Sequence, residues 1–238
     1  MDQSLMSTDP SGTSRQPPTP ELLLQSGTIQ RFGLTVRLLH WWTVATFAAA
    51  LLTGLALGPE MENRGLFNLH VAAVIAMGGG LLIALIFGNS KAVLRFVRDA
   101  LLPERSDFQF VTRMSTHPFR RTGVKWGKFN LGQKGLAWML LASFTAIVVT
   151  GINSWQTDGD ASGLHTTAVI VALILLSVHV FMAVVNSATR PALPGMIWGR
   201  VQRSWAIHHH AKWVADEDLR SKNLVKSSTA KGPQHHPR

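Results

Sequence analysis

The chain alternates between long apolar runs and shorter polar segments. Counting only Lys, Arg, Asp and Glu as charged, four stretches carry none: Leu38 to Pro59 (22 residues), Gly65 to Ser90 (26), Gly135 to Thr157 (23) and Ala161 to Thr189 (29). About 20 apolar residues rising 1.5 Å each cross a hydrocarbon core of roughly 30 Å, whereas core helices of globular proteins are shorter and broken by charge. The pattern predicts four membrane-spanning helices, and with them an all-α, integral membrane four-helix bundle. Between the second and third runs, Lys91, Arg95 and Arg98 share one helical face and Leu94, Val97 and Leu101 another. That segment, Lys91 to Leu102, predicts a cytoplasmic amphipathic helix at the membrane surface. Gly33 and Pro103 act as breakers, while Gly159 and Gly163 keep the last loop short, so spans three and four should form an antiparallel hairpin.

The flanks read differently. Residues 1–33 hold Pro10, Pro17, Pro18 and Pro20 among many Ser, Thr and Gln, with no apolar run longer than Leu22 to Leu24. They are expected to form a disordered N-terminal arm and lack the pattern of a secretory signal. Residues 34–220 make the membrane domain, and 221–238 are expected to be a disordered basic tail.

Charge sets the expected topology. Of 23 Lys and Arg, 3 precede the first span, 1 lies in the first loop, 10 separate spans two and three, none lies in the third loop and 9 follow span four. Twenty-two of them thus fall on one side of the membrane, and the positive-inside rule then puts both termini in the cytoplasm of a multi-pass bacterial inner-membrane protein. The net charge of +10 is accounted for by topology, and no nucleic-acid motif accompanies it. With no cysteine in the chain, disulfides, iron–sulfur clusters and c-type haem attachment are excluded.

Histidine is the remaining ligand for a redox metal. Four of the ten histidines, His40, His70, His165 and His179, lie inside the charge-free stretches. A buried ring costs free energy unless partnered, by an interhelical hydrogen bond or by a metal. With cytoplasmic termini, His40 lies near the cytoplasmic start of span one and His70 near the outer start of span two. Span four carries His165 near its outer start and His179 fourteen residues further in. Depth therefore pairs His70 with His165 and His40 with His179. Fourteen residues at 100° each fall about 40° short of four turns, so both rings of span four project from nearly one face, roughly 21 Å apart. Two histidines per depth, with no carboxylate or thiolate beside them, suit two six-coordinate b-type haems better than zinc. Two axial imidazoles leave no open position on iron, so the expected chemistry is electron transfer.

Smaller features leave alternatives open. Gly54, Gly78, Gly79, Gly80 and Gly151 within the spans serve close helix packing or make room for a porphyrin face. Arg37 is an interfacial anchor or a propionate partner. His208, His209 and His210 form a solvated surface cluster or bind a stray metal. Span three opens on Lys128-Phe129-Asn130-Leu131-Gly132-Gln133-Lys134, where Asn130 is a helix N-cap or part of a quinone site. In the second reading, Asn130 and Gln133 donate hydrogen bonds to quinone carbonyls, Gly132 lets the ring approach, and Asn186 adds a polar group.

The chain resembles the gamma subunit, cytochrome b, of membrane-bound formate dehydrogenases. The resemblance rests on Leu39-His40-Trp41, Thr53-Gly54, Gly127 through Lys134, and the pair His165 and His179. It continues through Gly195-Met196-Ile197, Trp205-Ala206, His209-His210 and Trp213. It runs from about Arg31 to about Glu217, departing in Phe129 where the family usually has Tyr, in a short first loop and in the long proline-rich arm. It implies two haem b groups, the cytoplasmic one on His40 and His179 and the outer one on His70 and His165. It further implies a menaquinone or ubiquinone site lined by Asn130, Gly132 and Gln133. The implied partners are an iron–sulfur beta subunit and a molybdenum or tungsten alpha subunit, so the chain is the electron-transfer and quinone-reducing part of an oxidoreductase complex. A cytochrome b of a hydrogenase or another respiratory dehydrogenase is the alternative from the same chemistry. A histidine-relay transporter is the alternative from a different class.

Overall fold

The computed structural model describes residues 27–57, 63–116, 123–157 and 162–230. Four long apolar helices dominate it: α1 (Leu34–Leu57), α2 (Arg64–Ile86), α5 (Leu131–Gln156) and α6 (Ser162–Val180). Each is long and apolar enough to cross a membrane. The helix α6 runs on as a π-helical turn, Phe181–Val185, closed by the Asn186 N–H donating to the Phe181 carbonyl at 3.0 Å. Large apolar side chains point outward from the spans, as lipid-facing surfaces require. Small residues, among them Ala50, Ala73, Ala84, Ser143 and Ala172, are buried between them.

Six hydroxyls inside the spans bond within their own helix. Thr43, Thr46, Thr53, Thr145, Thr150 and Ser177 each donate to a backbone carbonyl one turn earlier. The spans pair as two antiparallel hairpins, α1 with α2 and α5 with α6. In the first, the Trp42 indole donates to the Ala76 carbonyl at 2.8 Å and lies where a Cβ on Gly80 would stand, so Gly80 serves packing. The hairpins meet through side chains, with Phe47 against Phe144 at a centroid separation of 5.3 Å.

Both ends of the described chain gather at one end of the bundle, called here the capped end. The strand β1 (Thr28–Gln30) pairs antiparallel with β2 (Arg200–Gln202), Ile29 opposite Val201. Regular structure is thus present on the N-terminal side of the boundary expected at residue 33, because residues 28–30 find a partner strand near the other end of the chain; residues 1–26 of the expected arm lie outside the described residues. A short helix α7 (Leu193–Ile197) precedes β2, and α8 (Arg203–His209) and α9 (Ala211–Ala230) follow it. The helix α9 runs past the tail boundary expected at 221, and an Arg220–Glu217 pair at 2.8 Å supports its exposed side.

The amphipathic segment forms α3 (Ser90–Leu101), followed by α4 (Arg105–Thr116). Val93 and Ala100 are buried and Phe96 packs on Phe32 and Phe129, while Leu94 and Val97, on the apolar face expected at the membrane surface, face outward. The helix thus has two apolar edges, one for the protein and one for the surroundings.

Several charges at this end are paired or enclosed. Lys134, in the first turn of α5, is 4% exposed and holds Asp107, also 4% exposed, at 2.7 Å. Lys134 also donates to the Leu102 carbonyl at 3.0 Å, and Glu104 links it to Lys212. The Arg31 guanidinium is enclosed by the rings of Phe32, Phe129, Trp205 and Trp213, all within 6 Å of its centre. Burial pushes Arg31 down to about 10 and Lys128, beside Phe32, down to about 8, so both remain cationic at neutral pH. His210 is buried rather than solvated: its Nδ1 donates to the Gly127 carbonyl at 2.7 Å, and Arg31 donates to the next carbonyl, Lys128, at 3.0 Å. Two distant parts of the chain thereby grip consecutive carbonyls just ahead of α5.

Breaking a buried ion pair from one side strands the other charge, at a cost of about 3–5 kcal/mol. Asp107→Ala is expected to lower stability in chemical denaturation by about 3 kcal/mol. The double variant Asp107→Leu with Lys134→Met should recover most of that loss. Burial first, and then the Arg31 charge, push the His210 imidazole down from 6.5 to about 4. The detached helix binds a proton that the docked one refuses, so docking of α9 is fully stable above about 6.5 and weakens as pH falls toward 4. Hydrogen exchange of α8 and α9 should accelerate over that window, and His210→Gln should flatten the response.

Candidate functional site

The four intramembrane histidines come together in the two pairs that depth predicts. His40 on α1 faces His179 on α6 with ring centroids 6.3 Å apart, and His70 on α2 faces His165 on α6, also at 6.3 Å. The helix α6 supplies one ring to each pair, and the ring planes meet at 56° and 82°. Both pairs bridge the two hairpins, so the contact between hairpins is also the candidate ligand set.

The separation tests whether a metal fits. An imidazole nitrogen binds a first-row metal at about 2.0–2.1 Å, and the ring centroid lies about 1.1 Å beyond it. Two rings sharing one ion therefore place their centroids about 6.3 Å apart, the distance found in both pairs. Among the described residues, no group of three or more His, Cys, Asp or Glu converges, so each depth brings together two imidazoles rather than a tetrahedral cage.

The pair at the end remote from the cap is held by its neighbours. His70 Nδ1 lies 2.8 Å from the Ala50 carbonyl and 3.4 Å from the Thr53 hydroxyl. His165 Nδ1 lies 3.0 Å from the Ile147 carbonyl and 3.3 Å from the Thr150 hydroxyl. A carbonyl only accepts, so Nδ1 carries the proton in both rings and Nε2 keeps its lone pair for a metal. A Cβ on Gly54 would stand 3.2 Å from His70 Cε1, and one on Gly151 would stand 3.1 Å from His165 Cε1. These two glycines seat histidine rings. Reading along the sequence missed this role, although the repeated Thr-Gly dipeptide at 53–54 and 150–151, one per hairpin, carried the signal.

At the capped end, the Trp41 indole beside His40 donates to the Met196 carbonyl at 3.3 Å. Arg37 donates to the Ile197 carbonyl at 2.9 Å and lies over Gly199, whose positive φ of 86° lets the turn fold back. His179 lies two residues before the π turn, a local widening that recurs at functional sites.

The polar entry to α5 is a helix cap in this structure. Asn130 Oδ1 accepts from the Gln133 N–H at 2.9 Å, and Gln133 Oε1 accepts from the Asn130 N–H at 3.0 Å. The reciprocal box uses both amide oxygens and, among the described residues, leaves both amide NH2 groups without partners. Capping and donation to a ligand are therefore compatible. Gly132 is exposed, and a Cβ there would meet only Asn130 Oδ1, at 3.5 Å, so nothing in the fold requires glycine at that place. Asn186 is occupied locally, by the Ala188 N–H and the Met182 sulfur.

Comparison with known proteins places this geometry. A Haemophilus influenzae protein named formate dehydrogenase, cytochrome b556 subunit, is 27% identical over 210 residues, 80% of this chain and 84% of its own length. The Escherichia coli K12 protein named formate dehydrogenase, cytochrome b556(fdo) subunit, is 24% identical over 206 residues, 79% of this chain and 93% of its own length. The nitrate-inducible cytochrome b556(Fdn) subunit of the same strain is 29% identical over 100 residues, 38% of this chain and 45% of its own length. Residues 31–199 match the family described as prokaryotic cytochrome b561. That match begins at the enclosed Arg31, ends at the Gly199 turn and takes in all four spans and both histidine pairs, and the chain belongs to the prokaryotic cytochrome b561 family.

Proposed function

We propose that this chain is the membrane cytochrome b subunit of a respiratory formate dehydrogenase, holding two b haems and reducing quinone at its cytoplasmic side. The observation that carries the proposal is the equal 6.3 Å spacing of two histidine pairs at two depths of one helix. His40 and His179 hold one haem, His70 and His165 the other. Bound there, b haems supply one-electron transfer between ferric and ferrous iron. The names of the relatives, cytochrome b556 subunits of formate dehydrogenases, support a place in such a complex; in this reading an alpha subunit carrying molybdenum or tungsten oxidises formate and an iron–sulfur beta subunit passes the electrons on.

Orientation follows from charge. In the sequence, 22 of the 23 Lys and Arg lie before span one, between spans two and three or after span four, the side that the positive-inside rule puts in the cytoplasm of a bacterial inner membrane, and the described residues of those segments form the capped end. Electrons then enter at the His70–His165 end and leave at the His40–His179 end. At the mouth of α5, the free amide groups of Asn130 and Gln133 donate to the carbonyl oxygens of menaquinone or ubiquinone, and Gly132 leaves the ring room. Arg31 and His210, through the carbonyls of Lys128 and Gly127, hold that mouth in place.

Haem content and turnover test the two halves of this reading. His179→Ala is expected to reduce the purified complex from two b haems per chain to one, and to abolish formate-dependent quinone reduction while dye reduction by the alpha subunit persists. Two haems and normal quinone turnover in that variant would falsify the ligand assignment. Gly132→Ala should keep both haems and full stability, since helices prefer alanine, but raise the KM for quinone roughly tenfold. An unchanged KM would move the quinone elsewhere.

A further inference from the structure

The two histidine pairs have equal spacing but unequal surroundings. At the end remote from the cap, both rings donate Nδ1–H to a backbone carbonyl, Ala50 to His70 at 2.8 Å and Ile147 to His165 at 3.0 Å. The two seats match residue for residue. Each has the accepting carbonyl, a threonine three residues on (Thr53, Thr150) and a glycine four residues on (Gly54, Gly151). The glycine is what lets the ring reach a carbonyl that also closes its own helix: a Cβ there would press on ring carbons and on Nδ1 at 3.1–3.3 Å. At the capped end, among the described residues, neither His40 nor His179 has a hydrogen-bond partner.

We propose that Gly54 and Gly151, with Thr53 and Thr150, are positioning residues that make His70 and His165 the stronger electron donors. On that basis the haem at their end has the lower reduction potential of the two. The proposal rests on the two-haem reading above. A hydrogen bond from Nδ1–H to a carbonyl leaves more electron density on the imidazole and raises the basicity of Nε2 toward the metal. A more basic axial ligand favours ferric over ferrous iron, and second-shell hydrogen bonding is one of the levers that set haem potential. An electron arriving at the seated pair thus runs downhill to the unseated pair, so the backbone itself sets the direction of transfer toward the quinone mouth.

Redox titration of the b-band absorbance in the purified complex tests this. Wild type is expected to give two waves, and His179→Ala should remove the higher one. Gly54→Ala and Gly151→Ala should each shift the lower wave upward and leave the higher one in place, while Leu52→Ala, on the outward face beside Thr53, shifts neither. Should either glycine variant lose its haem, Thr53→Val and Thr150→Val keep the side-chain volume and should move the lower wave in the same direction by less. Loss of the lower wave in His179→Ala, or glycine and valine variants that keep both haems with unmoved potentials, overturns the proposal. Wild-type preparations with fewer than two haems per chain contradict the two-haem reading itself, whereas two haems of equal potential contradict only the unequal seats.

Discussion

A ring nitrogen inside a bilayer has no water to turn to, and the bundle is arranged around that need. Each of the four intramembrane histidines carries two nitrogens, one able to donate and one able to accept. At the seated end, the donors go to the carbonyls of Ala50 and Ile147, which leaves Nε2 for a partner across the hairpin interface. The rings then lie at the distance a shared metal sets. The two hairpins pack tightly within themselves and meet one another through side chains, the two histidine pairs and Phe47 against Phe144 among them.

The capped end solves the complementary problem, keeping charge beside an apolar scaffold. Lys134 would be costly at the root of a spanning helix without Asp107, Glu104 and the Leu102 carbonyl around it. Arg31 is enclosed by four aromatic faces and spends one N–H on the Lys128 carbonyl, while His210 occupies the Gly127 carbonyl. The polar mouth of α5 is thereby tied to both flanking segments of the chain. Electrostatics and backbone hydrogen bonding converge on the residues Asn130 to Gln133, which cap a helix with their oxygens and keep their NH2 groups available.

Family membership agrees with this division of labour. The matched residues, 31–199, stop at the turn that covers Arg37, and the described residues outside the match, 27–30 and 200–230, belong to the cap rather than the histidine pairs. The helix α9 docks Trp213 and Val214 against the ribbon of Ile29 and Val201, a small apolar core outside the spans.

The sequence by itself determined the four spans, the depth of each histidine and hence the pairing of His40 with His179 and His70 with His165. Those follow from local rules, hydropathy over about 20 residues and a fixed rise per residue. Tertiary structure alone decided what seats the rings, because Gly54 and Gly151 act on histidines 16 and 14 residues away across a hairpin, a contact with no local periodicity. It also decided that Thr28–Gln30 pair with a strand near the other end of the chain, and that α3 buries Val93 and Ala100 against the protein. In the same way His210, one of three adjacent histidines, was drawn into the protein by a carbonyl 83 residues away. Propensity and hydropathy describe a residue with its neighbours in sequence, and these partners are neighbours only in space.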